Sequence, residues 1–556
     1  MQKTLLVLMK RQTNILSAAL VIMATVILSQ VLGLVRQRLL VAIFGASNTL
    51  GVYLAASKLP DFLFQLIIAG ALSSAFIPIF SDFIAKREDM KASQMASTLL
   101  SIGIVFFLLF SFPLFIFAPF FLQLSINLGS NFSPGIGFSS DEMLLMASLM
   151  RIFIVGQLLF IVGTFFSVVL QSHNRFFIPG IAAALYNLGI IIGIVLLSSS
   201  FGIFAPAYGA VLGALFFVIA QLPVVKSVGF SFRPSFSVKA PGVLDVYRLM
   251  WPRTFSIAVF QIGSLLIVNL VSFLSSPGRN YVIFDYAQTL AFAPVVLFGQ
   301  AIAQAAFPVL SREREKLEEF KATFLTSFMQ MLYLVLPFSA LLLVLRIPVV
   351  RLVFGAKEFD WQATVLTGRT LAFFSLSIFA QALTYLVYRG FYALHDTKTP
   401  LIVGSLTTGL MLVLGGIFVI MYHMGIESIA IAYSVASVIN LVILMFLLDS
   451  KTGGFDKKNL LIPLLKIFVA TFFTGFALYI PIKLLDQLVF DTTRTVNLLI
   501  LTGISSLAGL FLYVFLTWLF NVKEATTFIL LFKKIGNWRE ILGQSEEVIE
   551  GTRVNP

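Results

Sequence analysis

The chain has 556 residues, of which 59% are hydrophobic and 11% charged, with a mean hydropathy of +0.99 and a formal net charge of +13. That composition excludes a soluble globular protein, in which about a quarter of the residues would be charged. The lack of cysteine excludes disulfides and thiol chemistry. The cations are scattered over many short segments and form no single stripe, which excludes a nucleic-acid platform.

Apolar runs long enough to cross about 30 Å of hydrocarbon recur along the whole length and predict an all-α polytopic membrane protein of about 14 transmembrane helices. The first, 14–35, is too long for a signal peptide, and no small-residue cleavage site precedes Arg36, so it is read as a retained span. It passes through SQVLGLVRQRLL (29–40), which sets Arg36 and Arg38 at membrane depth. A central arginine costs roughly 3 kcal/mol to insert, so it turns toward a partner, a watery cavity or an anionic ligand; snorkelling to the headgroups is the alternative. Span two, 50–84, holds Lys58 and Asp61 in KLPDF and ends in ALSSAFIPIFS (71–81). Spans three to six follow at 96–122, 143–171, 177–199 and 203–225.

Span seven, 246–274, opens with WPRTF (251–255), which places Arg253 at its start; span eight, 281–310, ends in AIAQAAFPVLS (301–311). Spans nine to twelve are expected at 322–346, 362–392, 399–421 and 426–448, with Arg389 at the cytoplasmic end of span ten. Spans thirteen and fourteen lie at 460–484 and 497–521, and the charge-alternating tail reads as a cytoplasmic amphipathic helix followed by disorder. Gln157, Asn187, Gln261, Gln381 and Thr384 are expected to bond between helices.

Pro78 and Pro308 lie 230 residues apart in similar Pro-apolar-Ser helix ends, and His173 and His395 lie 222 apart in the loops after spans four and ten. A nearly constant offset is what a duplicated six-helix unit leaves behind. The expected organisation is two parallel-repeat lobes, 1–225 and 226–450, around a central cavity, then two additional spans (451–522) and a tail (523–556). Cations concentrate in one alternate set of loops, for example Lys86, Arg87 and Lys91, or Arg312, Arg314 and Lys316, while 123–142, 200–202 and 422–425 hold none. The positive-inside rule puts both termini in the cytoplasm, and anionic lipid explains the basic balance. No GxxxxGK[ST] loop, HExxH or clustered histidine occurs, so nucleotide, metal, cofactor and catalytic residues are all expected to be absent.

The segments SQVLGLVRQRLLVAIFGAS (29–47), KLPDFLFQLIIAGALSSAFIPIFSDF (58–83), SHNRFFIP (172–179), LVFGAKEFD (352–360) and RGFYALHDTKTP (389–400) resemble, in order, the MurJ/MviN family. These are the lipid II flippases of the multidrug/oligosaccharidyl-lipid/polysaccharide exporter superfamily. The resemblance implies a transporter and not an enzyme. It would move lipid II, an undecaprenyl diphosphate bearing a disaccharide-pentapeptide, from the inner to the outer leaflet of the bacterial cytoplasmic membrane by alternating access during peptidoglycan synthesis. Guanidinium groups suit the diphosphate because they donate charge-assisted, bidentate hydrogen bonds.

Residue by residue, Arg36 matches the arginine that closes the family's SRVLGxxRD pattern, and Lys58 the basic residue before LPN. Gln30 replaces that pattern's first arginine and Gln37 its aspartate; Gly51 stands where an acidic residue is usual, Asp61 for asparagine and Phe64 for an arginine. Gln288 and Thr289 replace the Asp-Arg pair of YADRLxxxP. The expected substrate-binding set is therefore Arg36, Arg38, Lys58 and Arg253, with Gln30, Asp61 and Arg389 as further candidates. Spans seven, ten, eleven and twelve hold no carboxylate except Glu427 at an end, so no sodium site is expected. The missing cavity charges keep a flippase of another polyprenyl-linked saccharide as the alternative reading.

Overall fold

At membrane depth the backbone must satisfy its own hydrogen bonds, and this chain does so with helices throughout; among the described residues there is no strand. The computed structural model describes residues 15–66, 70–131, 136–488 and 494–526, without the side chains of 15–22, 70–75, 251–253, 255, 256, 260, 459 and 486–488. The basic residues before 15 and the tail beyond 526 therefore lie outside the described residues.

In chain order the helices begin with α1 (Ile15–Phe44), α2 (Asn48–Ala56), α3 (Lys58–Phe64), α4 (Gly70–Ala85) and α5 (Asp89–Ile116). Next come α6 (Ala118–Ile126), α7 (Ser140–Ser172), α8 (Phe177–Phe201), α9 (Phe204–Ser227) and α10 (Val243–Val271). They continue as α11 (Pro277–Pro294), α12 (Ala301–Arg312), α13 (Leu317–Val344), α14 (Arg346–Phe354) and α15 (Trp361–Ser375). The last are α16 (Ile378–Ala393), α17 (Lys398–Gly416), α18 (Glu427–Lys451), α19 (Lys457–Leu488) and α20 (Thr495–Leu519). Single π-helical turns, Val295–Gln300 and Ile417–Met421, continue α11 into α12 and extend α17.

Helices occupy each position where a span is expected. Among the described residues eleven helical stretches are long and apolar enough to cross a membrane, and α15 with α16, bent by 44°, makes a twelfth. Spans two and seven contain the shorter apolar stretches Phe76–Ala85 and Ile257–Val271. The boundary that moves most is the end of the first span. The helix does not stop at the arginines but runs on to Phe44, because arginine is a good helix former. Gly45, at φ +62°, is the first residue that favours a stop.

The chain divides into two compact units, Met1–Tyr286 with Val353–Thr370 and Thr408–Ala432, and Ala287–Leu352 with Leu371–Thr407 and Tyr433–Pro556. In the first unit α8 and α9 cross at glycines spaced four apart, Gly189 and Gly193 against Gly209 and Gly213. A Cβ on Gly189 would sit 2.3 Å from the Gly213 Cα, so only bare backbone fits there. Asn187 Nδ2 donates to the Ser29 carbonyl at 3.2 Å and joins α8 to α1. Buried Gln221 joins α9 to α7 through the Gly163 carbonyl and the Ser167 hydroxyl.

In the second unit the Tyr513 hydroxyl donates to the Tyr333 carbonyl at 2.7 Å, tying α20 to α13. Ser434 of α18 bonds Ser377 at the start of α16, and Gln381 donates to the same Ser377 hydroxyl. Thr384 donates to the Ala380 carbonyl of its own helix, so its expected role between helices is not seen. Asp396 follows α16, outside the membrane spans. Partial burial alone would raise its carboxyl, but the Lys451 ammonium with the Thr399 N–H and hydroxyl holds it at about 2.

Gly213→Leu is expected to lower stability by at least about 3 kcal/mol, because its Cβ would meet the Tyr186 carbonyl oxygen at 2.3 Å. Thermal unfolding in detergent measures it. An unchanged midpoint would mean that α8 and α9 can separate freely.

Candidate functional site

The KLPDF segment makes the first part of the site. Helix α2 ends at Ala56, and α3 restarts at Lys58 with Pro60 in its first turn, where its missing N–H costs nothing. Asp61 lies in that same turn, favoured by the helix dipole. Lys58 and Asp61 are three apart and share one face. The sequence thus plants a cation and an anion together at a break inside an apolar span.

Each then meets a different helix. Lys58 Nζ lies 3.8 Å from Asp285 Oδ1 and 5.7 Å from the centre of the Tyr281 ring, two residues one turn apart on α11. Asp61 accepts a short hydrogen bond from Gln157 Nε2 of α7. The Lys58 and Asp285 side chains are 25% and 22% exposed, so the pair faces open space and is not sealed in the core. The Coulomb attraction at that distance is about 4 kcal/mol at an effective dielectric of 20, largely offset by desolvation of both ions.

That space is a cavity of about 290 Å³ lined by α3, α7, α8 and α10, including Lys58, Asp61, Gln157, Tyr186 and Gln261. Phe64 and Phe160 supply apolar wall, their rings 5.3 Å apart edge to face. Arg36 lies within electrostatic reach of Asp61, Tyr53 and Tyr186.

The other candidate residues lie elsewhere. Arg38 is exposed and its Nη2 reaches the Gly355 carbonyl at 3.5 Å; two residues apart on a helix, Arg36 and Arg38 cannot face the same way. Gln30 is exposed on α1 and is not part of the cavity wall. Arg389 belongs to the second unit, its guanidinium 5.2 Å over the Phe307 ring. Helix α10 runs through Arg253, whose side chain lies outside the described residues. Asp285, Tyr281 and Tyr186 were not foreseen. Asp285 carried a readable signal, a carboxylate inside an apolar span one turn after a tyrosine.

A clamp lies six residues, about 9 Å along α11, from Asp285. Arg279 Nη2 donates to both carboxylate oxygens of Asp360, at 2.9 and 2.8 Å, and Nη1 donates to the Ala46 carbonyl at 3.1 Å. Its backbone N–H donates to Asn48 Oδ1 at 2.9 Å. Asp360 lies in the loop before α15. Partial burial would raise its carboxyl, but the Ala363 N–H and the Arg279 guanidinium hold it below the usual carboxylate range. Beside the clamp α2 and α11 touch at Gly51 and Gly278, where a Cβ on Gly51 would fall 2.0 Å from the Gly278 carbonyl oxygen. That contact is the physical reason why no acidic side chain stands at position 51.

The sequence profile of the family described as "Lipid II flippase MurJ" matches residues 40–528. A Thermotoga maritima protein described as a "Probable lipid II flippase MurJ" is 31% identical over 440 residues, covering 77% of this chain and 84% of that protein. The "Lipid II flippase MurJ" of Burkholderia cenocepacia is 26% identical over 395 residues, 70% of this chain and 75% of its own. In fold, the chain resembles a solved "Lipid II flippase MurJ, inward closed conformation" with a TM-score of 0.73 at 22% identity, covering 90% and 98% of the two chains. It also resembles an inward-facing multidrug resistance MATE family transporter of the MOP superfamily with a TM-score of 0.62 at 13% identity, covering 78% and 98%. This is a multi-pass membrane protein, and the chain belongs to the lipid II flippase MurJ family.

Proposed function

We propose that the chain carries the polar head of lipid II from the inner to the outer leaflet of the bacterial cytoplasmic membrane while the polyprenyl tail stays in lipid. The observation that supports this most directly is a polar cavity with ionisable walls, Lys58, Asp61 and nearby Asp285, held within apolar helices of a MurJ-family chain. Ionisable groups at membrane depth mark a substrate path. In this reading Arg36 and Arg253 grip the diphosphate, with Lys58 at the edge of the same path. Arg38, Gln30 and Arg389 are left to headgroups and neighbouring segments.

The lobes 1–225 and 226–450 alternate access, a division supported by the Pro78 and Pro308 register. Both termini face the cytoplasm, as the loop cations favour. The step is movement alone: no bond forms or breaks, and no nucleotide, metal or cofactor takes part.

Purified protein in liposomes is expected to equilibrate fluorescent lipid II between leaflets at least about tenfold faster than empty liposomes, a barrier reduction of about 1.4 kcal/mol or more. Lipid II left on its original leaflet, with transfer of another polyprenyl-linked saccharide instead, would overturn the substrate assignment.

A further inference from the structure

Helix α9 ends at Ser227 and α10 begins at Val243, so residues 228–242, VGFSFRPSFSVKAPG, join the two expected lobes. From 226 to 244 the chain holds Lys226, Arg233 and Lys239 and no carboxylate. Among the described residues neither Arg233 nor Lys239 forms an ion pair. Between them and beside them Phe232, Phe236 and Val238 are 43%, 62% and 53% exposed. Single exposed apolar residues are ordinary, but three so close together, interleaved with cations, mark an interaction surface.

This surface is held in place. Phe230 is buried against the Phe165 and Phe166 rings of α7, and Ala240 is buried at the other end. Between them the Arg233 N–H donates to Ser97 Oγ at 3.1 Å and the Ser235 N–H to Ser101 Oγ at 3.3 Å, two hydroxyls one turn apart on α5. The helix also fixes the depth. Its 28 residues span about 42 Å, against about 30 Å of hydrocarbon, so about 12 Å projects. The polar start DMKASQMAS is the end that projects, and Ser97 lies eight residues from Asp89, about 12 Å along the axis. The tied segment thus lies at headgroup level, where cations meet phosphates and aromatic side chains settle at the boundary.

We infer that residues 232–239 are a binding surface for anionic phospholipid. Arg233 and Lys239 pair with headgroup phosphates while Phe232, Phe236 and Val238 enter the first acyl methylenes. The occupant carries net negative charge because two cations face it with no carboxylate to balance them, and a zwitterionic headgroup brings a cation of its own. Seated there, the segment tethers the junction of the lobes to one leaflet. The inference goes beyond the flippase reading, and its test needs no lipid II.

The chain has no cysteine, so Ser237→Cys on the exposed segment takes a single fluorophore. The labelled full chain in phosphatidylcholine bilayers is titrated with phosphatidylglycerol or phosphatidylcholine carrying a nitroxide quencher high on the acyl chain. Phosphatidylglycerol is expected to quench at about one-tenth of the mole fraction. One basic side chain near an anionic surface gives a factor of about five, and two, partly screened, about ten. Arg233→Gln with Lys239→Gln brings the ratio below about twofold, whereas Phe232→Ser with Phe236→Ser lowers quenching by both lipids and keeps the ratio. Lys457→Gln with Lys458→Gln, which removes the same charge at the start of α19, leaves both unchanged. A ratio taken within one variant is insensitive to partial loss of folded protein. A wild type quenched equally by both lipids, or by neither, overturns the inference. So does a preference that survives Arg233→Gln with Lys239→Gln, or one that falls equally in Lys457→Gln with Lys458→Gln.

Discussion

Arg36→Ala is expected to slow flipping of lipid II by about 100-fold, and Arg38→Ala by less than about threefold. Two hydrogen bonds from a guanidinium to a phosphate contribute about 1.5 kcal/mol each at the lower end of the range for charged groups, and each 1.4 kcal/mol is a factor of ten. The two arginines separate because they stand on opposite sides of one continuous helix. Arg36 lies within electrostatic reach of Asp61, Tyr53 and Tyr186, whereas Arg38 reaches the Gly355 carbonyl. Arg36→Lys, which keeps the charge but loses the fork, should fall between, at about a tenfold loss. The measurement is the initial rate of leaflet exchange in proteoliposomes, normalised to reconstituted protein. Equal losses in Arg36→Ala and Arg38→Ala would show that the first helix acts through its net charge and not through one directed side chain.

Span positions were legible because a long apolar run has few alternatives at membrane depth, and every expected position holds a helix. The end of α1 was not: the expected span closes at 35, before the arginines, whereas the helix ends where backbone conformation changes, at Gly45. The grouping of Arg36 with Arg38 ignored the 3.6-residue period, which was available from the sequence alone. The four-residue glycine spacing at 189, 193, 209 and 213 is equally visible in the sequence.

Other features depend on partners far away in the chain. Nothing local pairs Gly51 with Gly278, or Lys58 with Asp285. The two histidine loops show how a local pattern can mislead. His173 is the cap residue of α7, whereas His395 is the left-handed residue after the cap of α16, at φ +58°; Asn174 is its true counterpart, at +57°. The same backbone turn closes α4 at Arg87 and α20 at Asn521, so the turn by itself does not mark a duplication. The proposed repeat rests on the proline register.

Lys58→Met should destabilise the protein by about 3 kcal/mol, and Lys58→Met combined with Asp285→Leu should recover all but about 1 kcal/mol. Removing the ammonium deprives a half-buried carboxylate of its matching charge, which costs about 3–5 kcal/mol in buried pairs. Exposure of the pair to the cavity puts the expectation at the lower end. Replacing both partners by apolar groups of similar size removes the uncompensated charge along with the attraction. The recovery from Lys58→Met to the double variant, read from unfolding free energies in detergent, should be about 2 kcal/mol. Transport separates this role from direct phosphate binding. If Lys58 serves mainly to balance Asp285, the double variant flips lipid II faster than Lys58→Met alone, since the carboxylate that would repel the substrate has gone with the lysine. If Lys58 itself grips the diphosphate, both variants are equally slow, and the pairing with Asp285 is structural only.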